Sequence, residues 1–258
     1  MRFLYLLAFI TVYASSAFAQ KNTWNDNIVI AHRGAWKKNN LPENSIAALK
    51  QAIKLKCYGS EFDVHMTSDS ILVVNHDPEF LGIKIETSTY DELLQKSLSN
   101  GEKIPTLSNY LKAGMKQKKT KLILEIKPSV ISPERTLALT EKVVAMVTKL
   151  KADKWIEYIS FSYDATKKVV ELKPQAKVYY LKGDVSAEQL AADKLYGADY
   201  HFSVFKKGDW FADAKKYKLH LNAWTVNKEE DMNWLLDNKV DFITTNEPEL
   251  LFELIGKR

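Results

Sequence analysis

Residues 59–77 read GSEFDVHMTSDSILVVNHD, and the rest of the chain can be placed around them. Gly59–Val64 reads as a buried strand. Side chains two apart on a strand share a face, so Glu61, Asp63 and, by the same parity, His65 project together. Thr67, Ser68, Asp69 and Ser70 supply turn chemistry. Ile71–Val74 is a second apolar run, which delivers His76 and Asp77 to its end. Two carboxylates held side by side among apolar residues repel each other, and a divalent cation between them is the usual remedy.

Outward from this stretch, short apolar runs alternate with helical patterns. Asn27–Ala31 ends in His32-Arg33-Gly34. After Leu41-Pro42-Glu43, either Asn44 or Ser45 can cap a helix whose buried face carries Ile46, Leu49 and Ile53. Residues 78–118 form an excursion with helical candidates at Asp91–Lys96 and from Thr106. Lys121–Lys127, KLILEIK, is an apolar strand interrupted by Glu125. Further strands are expected at Ile156–Ser162, Lys177–Leu181, Asp199–Ser203, Leu219–Thr225 and Val240–Thr244, with a helix after each. Eight strands, each followed by helical material, imply a parallel sheet with crossover helices, closed as a (β/α)8 TIM barrel. Active sites of such barrels lie at the C-terminal ends of the strands. His32, Arg33, Glu61, Asp63, Glu125, Lys127 and Trp224 gather there, with His76 just beyond the second strand.

The chain has 258 residues, 46% hydrophobic and 27% charged, as in an ordinary soluble domain. Its net charge is +5; residues 1–19 contain Arg2 and no acid, so without them 36 basic residues face 32 acidic ones, a balance of +4. That mild excess suits an anionic small molecule. No basic run interleaved with aromatics points to nucleic acid, and Lys116–Lys121 reads as a solvated helix end. Arg2, the apolar run Phe3–Val12 and the small residues of Ala17-Phe18-Ala19 form a signal peptide over 1–19, leaving 20–258 as one domain. The apolar run is short for a membrane span, which needs roughly 20 residues. Export is expected, to the periplasm in a Gram-negative cell. The lone Cys57 has no disulfide partner and is expected to pack.

The chain resembles the glycerophosphodiester phosphodiesterase family. The matching segments are HRG at 32–34, PENS at 42–45, EFDV and TSDSILVVNHD within 61–77, LILEIKP at 122–128, AWTVN at 223–227 and VDFITTNEPEL at 240–250. Their order and spacing together carry the resemblance. It implies a TIM barrel with a small insertion at 78–118. It also implies metal-dependent hydrolysis of glycerophosphodiesters to sn-glycerol 3-phosphate and an alcohol. By the same motifs, Glu61, Asp63 and Glu125 would bind the metal, and His32 and His76 would be the general acid/base pair. Arg33 and Lys127 would hold phosphate, Trp224 would line the pocket, and Glu43 would support the metal and the region of His32. The sequence departs from the family at Ser70, where glycine is frequent, and after Asp77, where an arginine-threonine run is missing. Phe242 and Asn246 replace a common glycine and aspartate; the latter reads as a packing change.

A phosphodiester is anionic and a poor electrophile, so its hydrolysis needs charge neutralisation, a positioned nucleophile and a protonated leaving group. Three carboxylates suit a hard ion, calcium or magnesium, with manganese a further candidate. Arginine offers phosphate a planar fork and lysine a point charge. Histidine titrates near neutrality and serves either proton role. His65 is expected beside the site rather than as a ligand, His201 and His220 as structural, and Asp77 as orienting its turn. Two other readings stay open. One is a phospholipase-type lipid phosphodiesterase, which would need an apolar lip near the mouth, with Trp36 and Phe80 as contributors. The other is a noncatalytic phosphodiester-binding barrel, which would have no use for an acid/base pair.

Overall fold

The computed structural model describes residues 24–258; the expected leader and its cleavage site lie outside the described residues. Eight parallel strands close into a barrel: β1 (Val29–Ala31), β2 (Gly59–Met66), β6 (Lys121–Ile126), β7 (Ile156–Ser160), β8 (Val178–Tyr180), β9 (Gly197–His201), β10 (His220–Trp224) and β11 (Phe242–Thr245). Closure is made by β1 pairing with both β11 and β2. The expected (β/α)8 architecture is therefore the observed one. The sixth strand begins two residues earlier than expected, because His201 ends it and its ring accepts a hydrogen bond from Ser203 N at the start of a short helix.

The strands form because alternate side chains serve two different cores. Outward residues such as Phe62, Leu122, Leu124 and Tyr158 pack under the helices, whereas Ile30, Ile123, Ile159, Tyr179 and Leu181 fill the lumen. A polar plug closes the N-terminal end of the lumen. The Tyr58 hydroxyl donates to buried Glu157 at 2.6 Å, and Lys177 lies 3.1 Å from the same oxygen. The opposite end remains open.

The helix after β1, α1 (Ile46–Lys54), is capped by Ser45, whose hydroxyl accepts from Ala48 N. This decides between the two capping candidates and leaves Asn44 for another task. β1 ends at Ala31, so the edge of β2 beyond Ser60 is free; β3 (Leu72–Val74) takes it in antiparallel register, with Val64 opposite Val74. That pairing turns the chain back and sets His76 at the mouth. The turn needs Ser70 in the left-handed region (φ +67°), which explains the preference for glycine there.

The insertion has its own small core of Val73, Phe80, Ile85, Leu93 and Ile104. It contains the hairpin β4 (Glu79–Phe80) and β5 (Ile83–Lys84), a 3-10 turn at Ile85–Thr87, and two helices, α2 (Tyr90–Leu93) and α3 (Leu107–Gly114). Buried Glu86 ties it to the barrel, accepting from Arg135 Nε at 3.0 Å, Val130 N at 3.0 Å and the Ser129 hydroxyl. Arg135 belongs to α4 (Pro133–Lys149), the helix after β6. Phe80 is buried here and cannot form an apolar lip; the large apolar side chains that are exposed around this face are Leu81, Val130 and Ile131. Cys57 is free and buried, as expected, and burial pushes its thiol up to about 12. No helix among the described residues is long and apolar enough to cross a membrane.

Candidate active site

Glu61 and Asp63 face the lumen from β2, and Asp63 stands directly opposite Glu125 of β6 in the parallel register. The register thus brings a third carboxylate to the first two. One oxygen of each lies within 4.8 Å of the others, and all three residues are buried. Glu61 Oε1, Asp63 Oδ1 and Glu125 Oε1 have no hydrogen-bond partner among the described residues. Three converging buried carboxylates, with a single ammonium near two of them, are the donor set of a hard cation, so these residues fit a divalent metal.

Lys127 is the counter-charge already present. Its Nζ lies 2.9 Å from Glu125 Oε1 and 3.3 Å from Asp63 Oδ1, as an ion pair rather than an aligned hydrogen bond. Burial opposes its charge, but the two carboxylates outweigh burial and raise its pKa above 10.5. The three acids respond differently. Burial also opposes ionisation of Asp63, yet Lys127, both active-site histidines and the Asn44 amide hold it below its usual range. Burial and the Asp63 charge push Glu125 up to about 8 and raise Glu61 well above its ordinary value. One ammonium cannot balance three carboxylates.

Asn44 is the residue that clamps Asp63. Its amide donates to Asp63 Oδ2 at 2.9 Å and its carbonyl accepts from Asp63 N at 3.2 Å. Its left-handed backbone (φ +57°) allows this while Ser45 starts the helix. Just before it, the HRG turn places Arg33 (φ +56°) and Gly34 (φ +82°) in left-handed conformations. A Cβ on Gly34 would lie 2.7 Å from the backbone of Ala48, so the turn fits under α1 only with glycine. The same turn aims Arg33 N at Glu61 Oε2, 2.8 Å away. The Arg33 guanidinium meets Glu43 at 2.5 Å. Glu43 thus acts through Arg33, which follows His32 and whose backbone N–H is bound to Glu61.

The two histidines line one cavity of about 120 Å³, together with Arg33, Glu61, Glu125, Ile159, Phe161, Leu181, Asp199, Trp224, Thr225 and Thr244. His32 Nδ1 is 2.8 Å from the amide oxygen of Asn246, across the seam where β1 meets β11, and its Nε2 is 3.9 Å from Glu61. Burial and the adjacent Arg33 lower its pKa to about 4. His76 is positioned from two directions. Its Nδ1 is 2.7 Å from Asp77 Oδ1, and its backbone oxygen is 3.1 Å from His65 Nε2. His65 thus supports the loop that carries His76. Trp224 lines the cavity as expected, with its indole N–H donating to Asp199 O at 2.7 Å and its ring edge-on to Phe161. His201 caps a helix and packs edge-on against Trp224 behind the cavity wall, and His220 stacks on Tyr196 and pairs with Asp241.

Three residues of the site escaped the sequence reading. Asn246 partners a catalytic candidate 214 positions away, a contact no local pattern announces. Asn44 was read only as a possible cap. Asp199 has a signal that could have found it: like Glu125, it is an acid at an inward position of an otherwise apolar strand.

A (β/α)8 barrel whose mouth gathers two histidines, an arginine, a lysine and three buried carboxylates defines a class, the hydrolases of phosphate esters. The chain belongs to the glycerophosphoryl diester phosphodiesterase family, whose model matches residues 32–250. A solved glycerophosphodiester phosphodiesterase from Parabacteroides distasonis is 43% identical, covers 91% of this chain and 99% of its own, and superposes with a TM-score of 0.87. A glycerophosphodiester phosphodiesterase from Caldanaerobacter subterraneus subsp. tengcongensis is 29% identical over 89% of this chain and 98% of its own. One from Bacillus subtilis is also 29% identical, over 96% and 94%. The protein is accordingly an enzyme, a phosphoric diester hydrolase of a family that acts on glycerophosphodiesters.

Proposed function

We propose that the protein hydrolyses glycerophosphodiesters to sn-glycerol 3-phosphate and an alcohol, with a divalent ion held by Glu61, Asp63 and Glu125 and with His32 and His76 as base and acid. The observation that carries this reading is the pair of histidines lining one cavity with orphaned carboxylate oxygens. Calcium, magnesium and manganese all suit such oxygens, and a bound ion would supply positive charge against the phosphoryl oxygens. Lys127 and the guanidinium of Arg33 take the remaining phosphate charge.

The partners of the two rings support this division of proton roles. The amide oxygen of Asn246 accepts from His32 Nδ1–H, which leaves Nε2 with its lone pair toward the cavity; with its pKa lowered to about 4, the ring is neutral at pH 7. It takes the proton of the attacking water or hydroxyl as the new P–O bond forms. His76 is backed instead by the Asp77 carboxylate, which orients the ring with Nε2 free for the leaving group. It gives its proton to the departing alkoxide as the old P–O bond breaks.

The leader read at residues 1–19 makes this an exported, periplasmic activity in our reading. The decisive assay is glycerol 3-phosphate release from glycerophosphocholine after chelation and then with calcium, magnesium or manganese restored. Metal-restored release that disappears in Glu61→Ala, with the fold intact, supports the whole reading. Undiminished release after exhaustive chelation would remove the metal from it.

A further inference from the structure

The cavity contains one orphaned acid that neither the metal cluster nor the proton relay uses. Asp199 points into the lumen from β9, is 1% exposed, and lines the cavity together with Trp224 and Thr244. Its Oδ1 has no hydrogen-bond partner among the described residues. It does not belong to the group of three carboxylates that converge as a metal site. Its neighbours leave that oxygen open. The Asn222 amide exchanges hydrogen bonds with Thr244 at 2.9 and 3.2 Å and is the one side-chain donor to the Asp199 carboxyl, the Trp224 indole N–H is spent on the Asp199 backbone oxygen, and none of the three satisfies Oδ1. The cavity walls beside it are Ile159, Phe161 and Leu181, which offer no side-chain donor.

A buried acid without a partner is costly, and such a group is retained where a ligand completes it. The occupant must be small, must fit between apolar walls and the phosphate-binding groups, and must reach the acid with a group that pairs with it. A hydroxyl does so whether Asp199 is ionised or protonated, because it can both donate and accept. We propose that Asp199 is a specificity-determining residue that binds a hydroxyl of the substrate's glyceryl group through Oδ1. The inference rests on the glycerophosphodiester reading above and deepens it: it names the group by which this pocket distinguishes a glyceryl diester from other alkyl phosphodiesters. A site built to pair with a hydroxyl discriminates strongly against an analogue that lacks it, since the acid is then buried unpaired.

The test compares glycerophosphocholine with propyl phosphocholine, which lacks the glyceryl hydroxyls, and reads choline release from both. In parallel, calorimetry measures binding of glycerol 3-phosphate and of propyl phosphate, so that recognition is read without turnover. In Asp199→Ala we expect kcat/KM for glycerophosphocholine and the affinity for glycerol 3-phosphate to fall by about 10- to 100-fold. Values for the two propyl compounds stay within twofold, and Asp199→Asn, which can still pair with a hydroxyl, recovers most of the loss. Equal losses on glyceryl and propyl compounds would show a structural or metal-holding acid and overturn the proposal, as would no loss on either. Failure of the wild-type protein to release choline would sink the hydrolysis reading, while the calorimetric pair would still decide the role of Asp199.

Discussion

At the residue scale, the site separates two imidazoles by what backs them. Removing the proposed acid in His76→Ala is expected to lower kcat by about 10²–10⁴-fold with metal binding retained, measured on glycerophosphocholine. Replacing the amide behind the base is subtler. In Asn246→Asp a carboxylate meets His32 Nδ1 and favours the charged ring, so its pKa rises and the base is protonated at higher pH. The acid limb of kcat/KM should move upward by about one pH unit; an unmoved limb would show that His32 does not set it. Asn246 also marks what the sequence could express. His32, Arg33, Glu61, Asp63, His76, Glu125 and Lys127 were legible because each sits in a short run whose residue types are unusual for its setting. Asn246 was taken for packing because its significance depends on a partner at the other end of the chain. Glu43 was legible as belonging to the site, but its partner, Arg33, was not.

At the scale of elements, the alternation of strands and helices was readable throughout, because a strand serving two apolar cores has a distinctive composition. Boundaries were less so. The sixth strand was placed two residues late because the capping role of His201 is a side-chain event. The insertion was visible only as an excursion, since its attachments are contacts between distant residues, among them Glu102 accepting from Ile46 N and Ala47 N at the start of α1. Glu86 gathers donors from Arg135, Ser129 and Val130 and joins the insertion to α4 and the loop before it. Glu86→Ala leaves the Arg135 guanidinium and two loop donors without that partner, and should cost roughly 2–4 kcal/mol in urea denaturation. Because His76 reaches the mouth on the strand that precedes this insertion, the same variant should lose turnover more than metal affinity. Equal stability to the wild type would show that the insertion is held by its apolar core alone.

For the whole molecule, the balance of buried charge sets how stability responds to pH and metal. The Glu125 carboxyl, raised from 4.5 to about 8, favours the folded state while it is protonated. Its contribution is complete below pH 4.5 and is lost as pH rises through 8, so the metal-free protein weakens over that range. His32 has the opposite sign: lowered from 6.5 to about 4, it contributes above pH 6.5, and that stability is lost as pH falls toward 4. An ion must displace the Glu125 proton, so metal affinity should rise with pH up to about 8, with proton release visible by calorimetry in two buffers. The melting-temperature gain on adding metal should be larger at pH 8 than at pH 6, and absent in Glu61→Ala. The seam of the barrel carries a different consequence. His32 stands just after the first strand and Asn246 just after the last, so its ring is oriented by the two strands whose meeting closes the barrel. A chain still being synthesised has no such meeting, and its reactive centre does not exist in parts. During refolding, then, hydrolytic competence should return only with the slowest step, after the helical signal has recovered: the enzyme switches on by completing a circle.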